Sequence, residues 1–193
     1  KKTTPTVFLI NKNIQAIIDK RYYFISSTGE AQIGWKGFVS WCQKTKQDPI
    51  KTSQEYIDTL KKSDIFRKND LINGMAKMKN TFTQVYSDKI FYLDFYSIER
   101  FGKTKLGQKL LYSKQSQNKE LINELIMEIR PQILKVINKY QINGILFIPP
   151  SVKREIQFMK ELEKQLHLPI KILAVSKVKT PIIIPQKTFF NQE

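Results

Sequence analysis

The sequence holds one cysteine, Cys42, and one histidine, His167, among 193 residues. A lone cysteine cannot close an internal disulfide, so the chain fits a reducing compartment. Two such side chains are too few for a zinc site, and no protein-held metal is expected. Cys42 closes the stretch Trp35-Lys-Gly-Phe-Val-Ser-Trp41-Cys42. That stretch is aromatic and amphipathic, so Cys42 reads as a small buried hydrophobe rather than a nucleophile. His167 has no partner His or Cys nearby in the sequence, and little supports acid–base work there. Long apolar runs are also missing. None approaches the ~18–20 residues that span a bilayer. The polar start, Lys1 to Thr6, leads into no signal-type segment. A cytoplasmic location without a membrane partner is therefore expected.

Acidic residues are scarce. Against 33 Lys and Arg stand 17 Asp and Glu, a formal charge of +16. Such an excess attracts polyanions: nucleic acid, phosphorylated substrates or an anionic surface. It equally fits a composition rich in lysine, asparagine and isoleucine, because the lysines are dispersed rather than blocked. Hydrophobic residues at 41% and charged residues at 26% describe a globular chain.

Periodicity and turn signals organise the chain into a mixed α+β region over residues 1–88 and an α/β region over 89–193. In the first, residues 7–10 and 21–25 are short β-type runs, with a turn at 26–29. Residues 37–45 read as a helix ending before Asp48-Pro49. Thr52-Ser-Gln-Glu55 resembles a capping box opening a helix to about residue 66. Asn69 or Asp70 is expected to cap another, with the stripe Leu71, Ile72, Met75, Met78, Phe82 and Val85. In the second, residues 90–96 are aromatic and β-favouring, 101–107 read as a loop, and 106–113 as a short helix. Asn118 is expected to cap a long helix over 119–140, with a kink or break at Pro131. Residues 144–148 read as a buried, parallel strand, 151–166 as a helix and 169–175 as another strand. The residues from 177 onward read as a loop or extended arm. This order of helix, strand, helix, strand is that of a parallel α/β unit.

A strand that empties through a tight loop into a helix favours anions at the helix N-terminus. Ile148-Pro149-Pro150-Ser151-Val152-Lys153-Arg154 has that form. The prolines stiffen the exit, Ser151 offers a hydroxyl, and Lys153 and Arg154 fall in the expected first helical turn. There they oppose the helix dipole unless an anion is bound. The alternative is an ordinary solvated first turn.

The run from Phe147 through Gln157, with Met159-Lys-Glu-Leu-Glu-Lys-Gln-Leu behind it, resembles the ComF family of phosphoribosyltransferases. Lys177-Val-Lys-Thr-Pro-Ile-Ile-Ile-Pro-Gln186-Lys187 and the lead-in Leu110 to Leu121 are similar to segments of the same family. The resemblance covers about residues 90–187. It implies part of a type I phosphoribosyltransferase parallel sheet with flanking helices. It further implies that Pro149, Pro150, Ser151, Val152, Lys153 and Arg154 hold the diphosphate of phosphoribosyl pyrophosphate, with Gln157 and Arg154 bracing the loop. Thr180, Pro185 and Gln186 would belong to a flexible closing loop. Its Lys179 and Lys187 would offset charge on the departing pyrophosphate, with Mg²⁺ sharing that work. The family's strand ending in two acids before a Thr/Gly-rich turn has no match, nor does its four-cysteine segment. The resemblance therefore implies a catalytically incomplete unit, as a fragment or a reused fold. An oligomer is compatible with it.

Two further readings stand beside this one. Tyr22, Tyr23, Phe91, Tyr92, Phe95 and Tyr96, interleaved with cations, fit a non-catalytic binder of single-stranded nucleic acid. Against that, the 91–96 run also reads as a buried strand. Trp35, Phe38 and Trp41 would form an anchor face if exposed, and core if not.

Overall fold

The computed structural model describes residues 10–26, 29–150 and 154–176. Helix α1, Lys12–Arg21, is capped by Asn11, whose side chain accepts from the Asn13 amide at 2.9 Å. Strands β1, Tyr23–Ile25, and β2, Ala31–Ile33, form an antiparallel hairpin with Tyr23 opposite Ile33. The next helix, α2, runs Gly34–Lys44. Its first residue has φ +64, and a Cβ there would lie 2.5 Å from Asp19 Oδ1. Only glycine tolerates that backbone and that approach together. Asp19 uses the closeness to accept from the Trp35 amide at 2.8 Å.

Helix α3 is Pro49–Asp64, not a helix opened by Thr52. Asp48 is its cap, accepting from the Lys51 amide at 2.7 Å. Pro49 supplies a preset φ where no amide is needed. Asp48-Pro49 thus starts α3 as well as following the end of α2 at Lys44. Thr52 and Ser53 are buried within the first turns, and Ser53 Oγ donates to the Ile50 carbonyl at 2.7 Å.

The helix expected over 69–85 is instead a hairpin and a short helix. Strands β3, Arg67–Lys68, and β4, Leu71–Asn73, pair with Lys68 opposite Leu71. Asn69 and Asp70 between them both have positive φ, 52 and 63. Two consecutive left-handed residues make the tight turn that matches strand twist, and Asn and Asp tolerate it best after glycine. Helix α4 is only Met75–Thr81. Strand β5, Phe91–Tyr92, joins the far edge of β4. The aromatic run thus contributes a two-residue strand, not one spanning 90–96.

Strands β6, Ser97–Ile98, and β7, Gly102–Lys103, flank a 3-10 turn and lead into α5, Lys105–Ser116. Thr104 caps α5 by accepting from the Gly107 amide at 3.0 Å. Helix α6, Lys119–Tyr140, is capped by Asn118. It continues through Pro131 without a break. Buried Ile122, Leu125, Ile126 and Ile129 on one side and Ile137 on the other hold it by packing. Strand β8, Gly144–Ile145, and strand β9, Lys171–Ile172, pair in parallel, with α7, Phe158–Leu166, between them.

Among the described residues the sheets have two, three, two and two strands, and only β8–β9 is parallel. The architecture is mixed helix and strand. A larger parallel sheet is not present in those residues. Nor is the expected strand over 144–148 a buried one: Leu146 is half exposed and Ile148 is 72% exposed.

Two cores result. The first joins Ile18, Tyr22, Phe38, Cys42, Tyr56, Ile57 and Leu60 to Ile98 and Phe101. Its rings meet edge to face, Tyr22 on Phe38 and Tyr56 on Phe101, each at 5.0 Å between centroids. The second gathers Ile122, Ile126 and Leu166 under Ile156, Phe158 and Leu162.

Candidate functional site

In parallel α/β arrangements, ligands gather beyond the carboxyl ends of the strands. Here that edge is formed by the segment after β8 and the segment after β9. The Leu173 amide donates to the Ile145 carbonyl at 2.7 Å and fixes the two exits side by side. Pro149 and Pro150 are half-buried at the first exit.

The far end of that loop is clamped to the junction of α5 and α6. The Arg154 guanidinium donates to the Lys114 carbonyl in the last turn of α5. Gln117, left-handed at φ 52 where α5 ends, accepts from the Ile156 amide at 3.2 Å. Gln157 is the residue before α7, and its side-chain amide donates to the Arg154 carbonyl at 3.1 Å. Lys114 Nζ sits 5.4 Å from the centre of the Phe158 ring.

These bonds explain a difference from expectation. The helix does not begin near residue 151; it begins at Phe158. The Ile156 amide is engaged by a side chain from another helix, which leaves it outside the helical ladder. Arg154 therefore does not lie in the first helical turn. It is an exposed loop residue reaching back to α5. Ser151, Val152 and Lys153, and likewise Lys179, Thr180, Pro185, Gln186 and Lys187, lie outside the described residues.

Glu155, exposed, is the one carboxylate between Pro149 and Gln157. No group of three or more His, Cys, Asp or Glu among the described residues is placed to hold a metal ion. With that single carboxylate, the loop's donor set does not fit a protein-held Mg²⁺.

Elsewhere the titratable groups are committed to structure. Cys42 is fully buried, and burial pushes its thiol up to about 12, so it is uncharged and unreactive at neutral pH. Burial pushes the Tyr56 hydroxyl up to about 12 as well. The Arg21 guanidinium holds Asp64 below the usual carboxylate range through side-chain hydrogen bonds, one of them 2.8 Å. Arg67 continues the chain, 3.6 Å from Asp64 and hydrogen-bonded to Asp94. His167 ends α7 in a left-handed conformation, and its carbonyl accepts from Arg130 at 3.1 Å.

The aromatic candidates divide. Tyr22 is buried and closed to a ligand, whereas Tyr23 and Phe95 are half-buried. Phe91 stacks on Tyr140 at 5.4 Å, and Tyr92 and Tyr96 are exposed. Phe38 is fully buried with Trp35 stacked on it at 5.7 Å, and Trp41 packs against the same core. That trio is core, not an open anchor face. No helix among the described residues is long and apolar enough to cross a membrane.

No family model, curated protein or solved structure matches this chain.

Proposed function

We propose that the second half of the chain is a phosphoribosyltransferase-like unit whose loop after β8 holds the diphosphate of phosphoribosyl pyrophosphate. The observation that carries this reading is the parallel β8–β9 pair with α7 between its strands, and a proline-stiffened loop leaving β8 at its carboxyl end. Anchoring a loop at both ends lowers the ordering cost of binding an anion there. The strand anchors one end, and the bonds from Arg154, Gln157 and Gln117 anchor the other.

Within this reading, transfer breaks the bond between the sugar's anomeric carbon and the pyrophosphate oxygen. The leaving group carries away the electron pair, and nearby cations offset its growing charge. Lys179 and Lys187 are the residues to which the family resemblance gives that role.

Isothermal titration of the folded chain with phosphoribosyl pyrophosphate, with and without magnesium supplied alongside the ligand, tests the reading. Binding heat that weakens at least several-fold in Arg154→Ala is expected. A folded chain that releases no heat contradicts it.

A further inference from the structure

Three cavities of about 950, 340 and 510 Å³ lie against one face of α6. The first is bounded by Glu128 and Gln132, the second by Gln132, Lys135 and Val136, and the third by Lys139 and Tyr140. Those positions recur every three or four residues, so they share one side of the helix. Gln132 lines both the first and second cavities, and Asn69, Leu71 and Lys139 line both the second and third. They are successive reaches of a single furrow. From Glu128 to Tyr140 it runs about 18 Å at the helical rise.

Its charge is lopsided. Ten Lys and Arg side chains line it against four carboxylates. The carboxylates are already engaged: Asp64 and Asp94 by the two arginines, Glu128 by Lys109, and Asp70 by Lys135 at 3.9 Å. Lys20, Lys68, Lys89, Lys103, Lys105 and Lys139 have no ion pair among the described residues. These six lysines, none paired with a carboxylate among the described residues, occupy both ends of the furrow.

Rings accompany the cations. At one end Phe91 stacks on Tyr140, Lys89 lies 4.5 Å from the Tyr140 ring centre, and Phe66 is 49% exposed. At the other, Lys103 of the lining lies 5.6 Å from the ring of exposed Tyr96, which sits beside the furrow and not in its wall.

We infer that this furrow is a track for single-stranded nucleic acid, a site separate from the diphosphate loop and independent of it. Cations spread along about 18 Å match a run of phosphodiesters rather than one phosphate cluster. The exposed ring of Phe66 in the furrow lining offers a stacking platform for an unpaired base, which is how strands are gripped without sequence reading. A concave furrow between two walls also suits a strand better than a flat anionic surface.

The test is fluorescence anisotropy of a labelled oligothymidylate with the full chain, over a range of salt. Four other proteins are compared: Lys89→Glu with Lys139→Glu, Lys103→Glu with Lys105→Glu, Phe66→Ala, and a charge-matched control, Lys36→Glu with Lys51→Glu, whose positions are exposed and outside the furrow. Each is first shown to keep the parent's circular dichroism. Should one furrow pair fail to fold, the other pair and Phe66→Ala decide.

Each furrow pair is expected to weaken binding roughly tenfold or more and to flatten the logarithmic salt slope by about 1.4, two phosphate contacts' worth for a single strand. Phe66→Ala is expected to weaken binding with the slope unchanged, and the control to stay within about threefold of the parent. Absence of binding at low salt overturns the inference. So does a control as weak as the furrow pairs, a duplex bound as tightly as the single strand, or tripolyphosphate competing as well as the oligonucleotide.

Discussion

The two cores of this protein are built on different principles. The first is aromatic and closed: Phe38, Ile18 and Cys42 are fully buried, and rings from Tyr22 just after α1, from α2, from α3 and from the 3-10 turn meet edge to face. The second is aliphatic and thin. Ile122, Ile126 and Leu166 are buried in it, while Leu146, Ile148, Ile172, Leu173 and Val175 on and around β8–β9 stay exposed. Burial of apolar area and dense packing set where stability resides. The first core therefore carries the global stability. The β8–α7–β9 unit, with two-residue strands, sits at the lower end of local stability, where binding edges are usually found.

The comparison can be broken at its strongest point first. Phe38→Ala opens a cavity in the closed core and is expected to cost about 3–5 kcal/mol, a large share of an ordinary protein's stability. Chemical denaturation measures it; a loss under about 1 kcal/mol would show that the aromatic core is not the main support. Leu166→Ala is expected to cost about 2–4 kcal/mol by the same mechanism. Its signature should differ: hydrogen exchange should rise across residues 144–172 while α1, α2 and α3 keep their protection. Uniform acceleration would mean that the two regions unfold as one.

Asp64→Asn sharpens the comparison through pH. Asp64 has a folded pKa lowered mainly by the Arg21 hydrogen bond. Its ionisation therefore stabilises the fold above the unfolded value near 3.9, and that contribution is lost as pH falls through the folded pKa. The side chain is 37% exposed, so solvent screening keeps the effect small. The stability gap between parent and variant should be present at pH 6 and shrink below about pH 4. A gap independent of pH would assign the loss to packing instead. The smallest effect is expected from Ile148→Ser. At 72% exposure the side chain has little to lose, and stability should stay within about 0.5 kcal/mol.

How much was legible in the sequence follows the same division. Both ends of helix α6 were readable, because Asn118 is a strong cap and the apolar stripe repeats over many turns, but the break expected at Pro131 is absent. The parallel pairing of β8 and β9 followed from the order of elements. Local signals failed where a stronger one sat close by. The apparent capping box at Thr52 yields to Asp48-Pro49, and the expected cap at Asn69 or Asp70 is a left-handed hairpin turn. The start of α7 moved to Phe158 because of a tertiary bond from Gln117, 39 residues away. Helix α1 is quiet in the sequence because Ile18 is its only buried residue. The Arg21–Asp64–Arg67–Asp94 chain and the furrow were beyond reach for one reason. Their members come from separate elements, and the lysines look evenly scattered until the fold gathers them beside α6.

The diphosphate reading is tested most directly by amide NMR of the isotopically labelled chain during addition of phosphoribosyl pyrophosphate with magnesium. The largest shifts are expected at Arg154, Glu155, Ile156 and Gln157, with the α1–α3 core unmoved. Shifts confined to the furrow along α6, or none at all from a folded chain, would contradict it.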